Sequence, residues 1–258
     1  MTRLSERIYR TEAVVLRRAD LGEADRILTL YTPGYGKLRA VAKGIRRPAS
    51  KLRGHLELFT RAKVQLARGR NLDVLTGAET TDAYRGLRGE GLDGLERAGM
   101  AYYLAELLDR FAEEGIENRA IWDLLTGSLR ALSDGVAPAI VARGYELRLL
   151  GFLGYRPNLD TCAACDRPLR PEENAYSVEM GGVLCPECRA EDPTAEPLSV
   201  NALKLLRLLS REEPAAVARL RLSPALAAEV EDTLRRSIRQ IAERDLESPA
   251  VLRSLRGA

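Results

Sequence analysis

The stretch GKLRAVAKGIRRPASKLRGHLELFTRAKVQL, residues 36–66, decides the fold. Two segments within it alternate apolar and polar residues, the signature of strands with one buried face. In the first, Leu38, Ala40 and Ala42 point one way and Lys37, Arg39 and Lys43 the other. In the second, Leu56, Leu58, Ala62, Val64 and Leu66 point inward, leaving Phe59, Arg61 and Lys63 outside. The loop between them adds Arg46, Arg47, Lys51 and Arg53, and Arg68 and Arg70 flank the next turn. Residues 37–70 thus hold 11 cations and one acid, Glu57.

Working outward, candidate strands fall at 8–17, 25–32, 37–43, 56–67 and 71–79, separated by DLGEA, TPGYG, the basic loop and ARGR. Five short strands with little helix between them suit a small closed barrel, since closure removes sheet edges; an SH3-like barrel is the competitor. From about residue 83 the period becomes helical. Leu92, Leu95, Leu104, Leu107, Leu108 and Phe111 mark one helix, IWDLLTGSLRAL a second, and APAIVARGYELRLLGFLGY a third, with Pro138 in its first turn and Gly151 and Gly154 at its end. These predict a compact helical bundle packed on the barrel. Beyond EDPTAEP come SVNALKLLRLLS and SPALAAEVEDTLRRSIRQIAERDLES, the latter with a stripe of Leu226, Val230, Leu234, Ile238 and Ile241 and an N-cap at Ser223.

Charge is distributed unevenly. The chain of 258 residues carries a net +3, but residues 1–80 hold 17 Lys/Arg against 8 Asp/Glu, leaving 23 against 29 for the rest. Such asymmetry points to a polyanionic partner for the first part alone. Apolar residues interleave with the cations at period two, which argues against a disordered tail; neither an amphipathic helix nor a lipidation motif adjoins them to favour a membrane surface. Nucleic acid is the expected ligand. With Phe59, Tyr31, Tyr35 and Tyr9 as the only aromatics of the candidate barrel, binding should be phosphate-dominated and strongly salt-dependent. MTRLSERIYRTE has no apolar run of the kind that opens a signal peptide, and no apolar stretch of about 18 residues exists, so a cytoplasmic protein is expected.

All four cysteines lie in one window, Cys162 and Cys165 in CAAC, Cys185 and Cys188 in CPEC, with positions 166–184 between the pairs. Two C-x2-C pairs at this separation read as one tetrahedral zinc site. AYSVEMGGVLC between them supplies two strands around a Gly181-Gly182 turn, as a zinc ribbon requires. Disulfides need an oxidising compartment, and a thioredoxin-like motif needs a βαβ setting. Four thiolates leave no open coordination position, which makes the metal's role structural.

Catalytic machinery is sparse. His55 is the sole histidine, so no histidine pair can be built, and it reads as a structural or surface residue. PGYGKL lacks the upstream glycine and the Ser/Thr of a P-loop. Asp20, Glu23 and Asp25 around LGEADR read as a turn-flanking surface. A metal-dependent nuclease remains the enzyme alternative, and a zinc-ribbon RNA-binding or transcription module the other rival.

YRTEAVVLRRADLGEADRILTLYTPGYGKLRAVAKGIRRPASKLRG (9–54) is similar to the N-terminal barrel of the bacterial recombination mediator RecO family, and LGYRPNLDTCAAC followed by CPEC resembles that family's zinc-bearing region. The resemblance covers nearly the whole chain. It implies an α+β protein: a five-stranded OB-fold barrel at 1–80, a helical domain at 81–158, an inserted four-cysteine zinc ribbon at 159–192, and C-terminal helices at 193–258 packing with the helical domain. It further implies a non-enzymatic, nucleoid-associated mediator that binds single- and double-stranded DNA and anneals complementary strands. The implied partners are RecR and, through its C-terminal tail, single-stranded DNA-binding protein, the outcome being loading of the RecA recombinase in DNA repair. The tail-binding surface falls on the helical domain. The family's zinc cysteines match Cys162, Cys165, Cys185 and Cys188, and some members lack them.

Overall fold

The computed structural model describes residues 7–89 and 91–242. The first half of MTRLSERIYRTE, the chain termini of the expected first and last domains, and the end of the final expected helix beyond 242 lie outside the described residues. The described chain forms two compact units, 7–133 and 134–242.

The first unit is built on five strands, β1 (Ile8–Leu21), β2 (Asp25–Thr32), β3 (Gly36–Ala42), β4 (Arg61–Ala67) and β5 (Asp73–Asp82), in a closed barrel of order β1-β2-β3-β5-β4. All neighbours are antiparallel except β3 and β5, which pair in parallel at two positions, Ala40–Asp73 and Val41–Val74. This Greek-key order is that of an OB-fold and excludes the SH3-like alternative. One strand serves two neighbours: β1 pairs with β4 through residues 8–14 and with β2 through 14–21, bending at an irregularity between Val15 and Arg17. Ala13, Val14, Val15 and Leu16 are consequently all buried, a run that simple alternation does not foresee.

The bend explains a departure from the expected strand at 56–67, which begins only at Arg61. The Phe59 N–H donates to the Val15 carbonyl (2.9 Å) and the Val15 N–H to the Thr60 carbonyl (3.3 Å), so residues 59 and 60 fill the gap left by the β1 irregularity. Phe59 does this with φ +63° and ends up 6% exposed, its ring edge-on to Tyr102 at 4.9 Å. The expectation that Phe59 faces outward is corrected.

Two helices complete the unit, α1 (Gly91–Phe111) and α2 (Arg119–Ser133). Leu104, Leu107 and Leu108 are fully buried, but Leu92 and Leu95 are 80% and 48% exposed, so the buried stripe of α1 starts only near Met100. Gly36 fixes the junction with the barrel. Its φ is +59°, and a Cβ there would lie 1.9 Å from the Ile116 carbonyl oxygen, so no other residue fits at the start of β3.

The second unit holds α3 (Pro138–Phe152), a sheet of order β7-β6-β8 from β6 (Asn174–Ser177), β7 (Gly182–Leu184) and β8 (Glu196–Leu198), and then α4 (Val200–Arg211) and α5 (Pro224–Ala242). The helical stretch expected at 81–158 is therefore shared: α1 and α2 stand with the barrel, α3 with α4 and α5. Ser223 caps α5 as its sequence position suggests, accepting the Leu226 N–H at 3.3 Å, and Val230, Leu234 and Ile238 are buried. Tyr176, Val183 and Leu198 of the small sheet join Leu203, Leu206, Val230 and Leu234 in one core. Apolar burial thus fastens the ribbon to the helices independently of its cysteines.

Candidate nucleic-acid interface and metal centre

Residues 43–60 cross from β3 to β4 as an ordered loop. Ile45 and Leu56 are each 1% exposed and Leu52 packs against the same barrel core, so apolar anchors hold the loop at three points. Polar ties add to them: the Gly44 N–H donates to Asp25 Oδ1 (2.7 Å), the Arg46 N–H to the Ala24 carbonyl (3.0 Å), and Arg46 Nη1 to the Gly22 carbonyl (3.0 Å). Asp20 pairs with Arg26 (2.9 Å) and Arg46 (3.5 Å), and these cations, Arg26 first, hold its carboxyl below the usual range. The acidic group around LGEADR is therefore a clamp on the loop, with Asp20 and Asp25 engaged.

At its far end the loop forms a 3-10 turn, Arg53–His55. The His55 Nδ1 accepts the Thr80 N–H at 3.3 Å, satisfying a backbone donor of β5 beyond its short pairing with β3. The sole histidine is a structural fastener.

The candidate cations separate into two groups. Lys43, Arg46, Arg47, Lys51 and Arg53 are all exposed on the loop, and apart from Arg46 they make no ion pair among the described residues. Arg70, in the β4–β5 turn, is likewise exposed and unpaired among the described residues, and Lys63 stands on β4 opposite Glu12 and Glu79 of the flanking strands. The others are engaged within the fold. Lys37 reaches the C-terminal end of α1, pairing with the Asp109 carboxylate (3.2 Å) and donating to its backbone carbonyl. Arg39 pairs with Glu114 (2.7 Å) just beyond that helix. Arg61 pairs with Glu12 (2.8 Å) and stacks 5.4 Å from the Trp122 ring, and Arg68 lies 3.7 Å from Asp73.

Cations at a helix C-terminus satisfy orphan carbonyls and the helix dipole. Lys37→Ala is therefore expected to lower the melting temperature by several degrees, about 1–2 kcal/mol, with DNA affinity changed less than about threefold. Thermal unfolding and a titration with labelled DNA check this together; unchanged melting with a large affinity loss is the contrary result.

In the second unit the four cysteine sulfurs lie within 4.8 Å of one another, the one group among the described residues whose His, Cys, Asp or Glu ligand atoms could hold a metal ion. Cys165 and Cys185 sulfurs are 3.9 Å apart, against about 3.8 Å for the edge of a tetrahedron with metal–sulfur bonds near 2.3 Å. Gly181, with φ +68°, makes the turn that returns the second pair to the first. Arg167 donates to Cys165 Sγ (3.3 Å) and pairs with Glu187, and its guanidinium pulls the Cys165 thiol down to about 6. Burial among the other sulfurs pushes Cys188 up. Four crowded sulfurs ionise together only around a cation, and the geometry suits one.

A closed barrel of OB order with a basic loop, followed by helices and a four-cysteine ribbon, defines an OB-fold protein with an appended four-cysteine unit that could hold a metal ion. Family models described as Recombination protein O N terminal and Recombination protein O C terminal match residues 6–84 and 92–250. The chain is 47% identical over 253 residues to the DNA repair protein RecO of Roseiflexus sp. (strain RS-1), covering 98% of this chain and 88% of that one. It is 37% identical over 248 residues to a Dehalococcoides mccartyi protein of the same name (96% of each chain) and 34% identical over 251 residues to one from Moorella thermoacetica (97% and 92%). The chain belongs to the RecO family.

Proposed function

We propose that this protein is a non-enzymatic mediator of recombinational DNA repair that binds single- and double-stranded DNA through the 43–53 loop and anneals complementary strands. The observation that carries the reading is the set of exposed loop cations on a rigidly anchored barrel loop, four of them unpaired among the described residues, in a chain of the RecO family. Annealing needs no fuel: a surface that neutralises phosphates while leaving base edges free lets pairing energy drive the step. As in the family it resembles, the protein works with RecR and with the tail of single-stranded DNA-binding protein to load RecA. A bacterial cytoplasmic, nucleoid-associated location follows from that role; among the described residues no helix is long and apolar enough to cross a membrane.

The metal is zinc, structural, held by Cys162, Cys165, Cys185 and Cys188. The ribbon segment 159–192 carries eight Asp/Glu against three Arg, which disfavours it as the nucleic-acid reader. Against the nuclease alternative stands the engagement of Asp20 and Asp25 as loop clamps.

Titration of labelled single strands at several salt concentrations tests the reading. Five loop contacts predict a log–log slope of about −3.5 or steeper, together with accelerated annealing in the absence of nucleotide. Salt-independent binding, or magnesium-dependent cleavage abolished by one carboxylate substitution, overturns it.

A further inference from the structure

The aromatic rings on which a single strand could stack are mostly consumed by the fold, with Phe59 6% and Tyr31 1% exposed. Tyr9 is as buried as Phe59, but a guanidinium lies over its ring and close to that of Tyr35. The Arg68 Cζ lies 4.3 Å from the Tyr9 ring centroid and 5.7 Å from that of Tyr35, the two rings being 4.7 Å apart and inclined by 50°. The start of β1, the β2–β3 turn and the β4–β5 turn converge here.

Each component is positioned by its own hydrogen bonds. The Tyr9 phenol donates to Asp73, and burial together with that acceptor pushes its ionisation well above the ordinary phenol range. Asp73 also accepts the Gly69 N–H (3.1 Å) and stands 3.7 Å from Arg68. The Arg68 N–H donates to the Arg7 carbonyl (2.9 Å), and the Tyr35 N–H to Thr32 Oγ1 (3.0 Å). Gly69 allows the turn to close: a Cβ there would sit 1.9 Å from the Leu72 carbonyl oxygen.

A guanidinium whose charge is already met by a carboxylate is a weak phosphate ligand, yet its plane remains. Arg68 keeps 42% of its side chain exposed, and guanidinium planes stack nucleobases as aromatic rings do. We propose that Arg68, seated on Tyr9 and Tyr35, is a stacking platform for an unpaired nucleobase of a single strand, with exposed Arg70 available for the adjoining phosphate. The platform rests on the nucleic-acid reading of the barrel but adds a contact that the loop cations cannot make. Bases within a duplex are stacked on their neighbours, so the platform confers a preference for single strands.

The intact protein is titrated with a single strand containing 2-aminopurine, an abasic strand of equal length, and a duplex. The abasic strand is expected to bind about tenfold more weakly with the same salt slope. Arg68→Lys, which keeps the charge beside Asp73 and loses the plane, is expected to reproduce that loss on the intact strand and to remove the change in 2-aminopurine fluorescence that accompanies binding, with the melting temperature shifted by no more than a few degrees. Equal affinity of the wild-type protein for intact and abasic strands overturns the platform without any variant, while leaving salt-dependent binding in place. Absence of salt-dependent binding to any of the three overturns the nucleic-acid reading and the platform with it.

Discussion

Replacing Lys43, Arg47, Lys51 and Arg53 together by alanine is expected to lower DNA affinity by about two orders of magnitude near 0.15 M salt. The log–log salt slope on single strands should flatten by about 2.8, at about 0.7 for each lost phosphate contact. These side chains are exposed and make no ion pair among the described residues, so their removal costs the fold little. Ile45, Leu52 and Leu56 keep the loop seated, and the melting temperature should stay within a degree or two. Arg46 is left in place because its bonds to Gly22 and Asp20 hold the loop against the β1–β2 turn. Salt titrations of the variant decide the matter, and affinity unchanged within a factor of three moves the DNA contact elsewhere.

Cysteine substitution should have its effect in the other unit. Freshly purified protein is expected to carry about one equivalent of zinc, and Cys185→Ala to lose it. The melting temperature of the second unit should then fall by about 10 °C or more, since structural zinc contributes directly to folding. DNA affinity should change little, because the loop cations belong to the first unit. The loss stops short of global unfolding, since Tyr176, Val183 and Leu198 keep their places among α4 and α5. Elemental analysis below half an equivalent, with undiminished melting, counts against the site.

Much of this was legible in residues 36–66. Alternation places Ala40, Ala42, Ala62, Val64 and Leu66 in the core, where each is at most 2% exposed, and Leu38 and Leu58 against it. The cysteine spacing likewise locates the one group of sulfurs, among the described residues, that could hold a metal ion. Alternation says which side of a strand a residue takes, but not what stands on that side. Lys37 and Arg39 do point away from the barrel core, and there they meet Asp109 and Glu114, which lie far along the chain beyond the whole barrel. Phe59 was illegible for a related reason: its burial depends on the β1 irregularity, and nothing in LELFTRAKVQL announces a gap in a distant strand. The Arg68 platform needed three chain segments brought together, each ordinary by itself.

The barrel seam between β3 and β5 has only two paired positions, and the basic loop, with its Ile45, Leu56 and His55 fastenings, spans the rest. That separates two kinds of freedom within one loop. Its length and its apolar anchors are architectural, so deletions there should cost the whole barrel. Its exposed positions are not, so cations can trade places among them while the total charge, which the salt slope reads, stays the same. A library that shuffles these exposed residues at fixed length should therefore be rich in working proteins, whereas one that shortens the loop should be nearly empty of them.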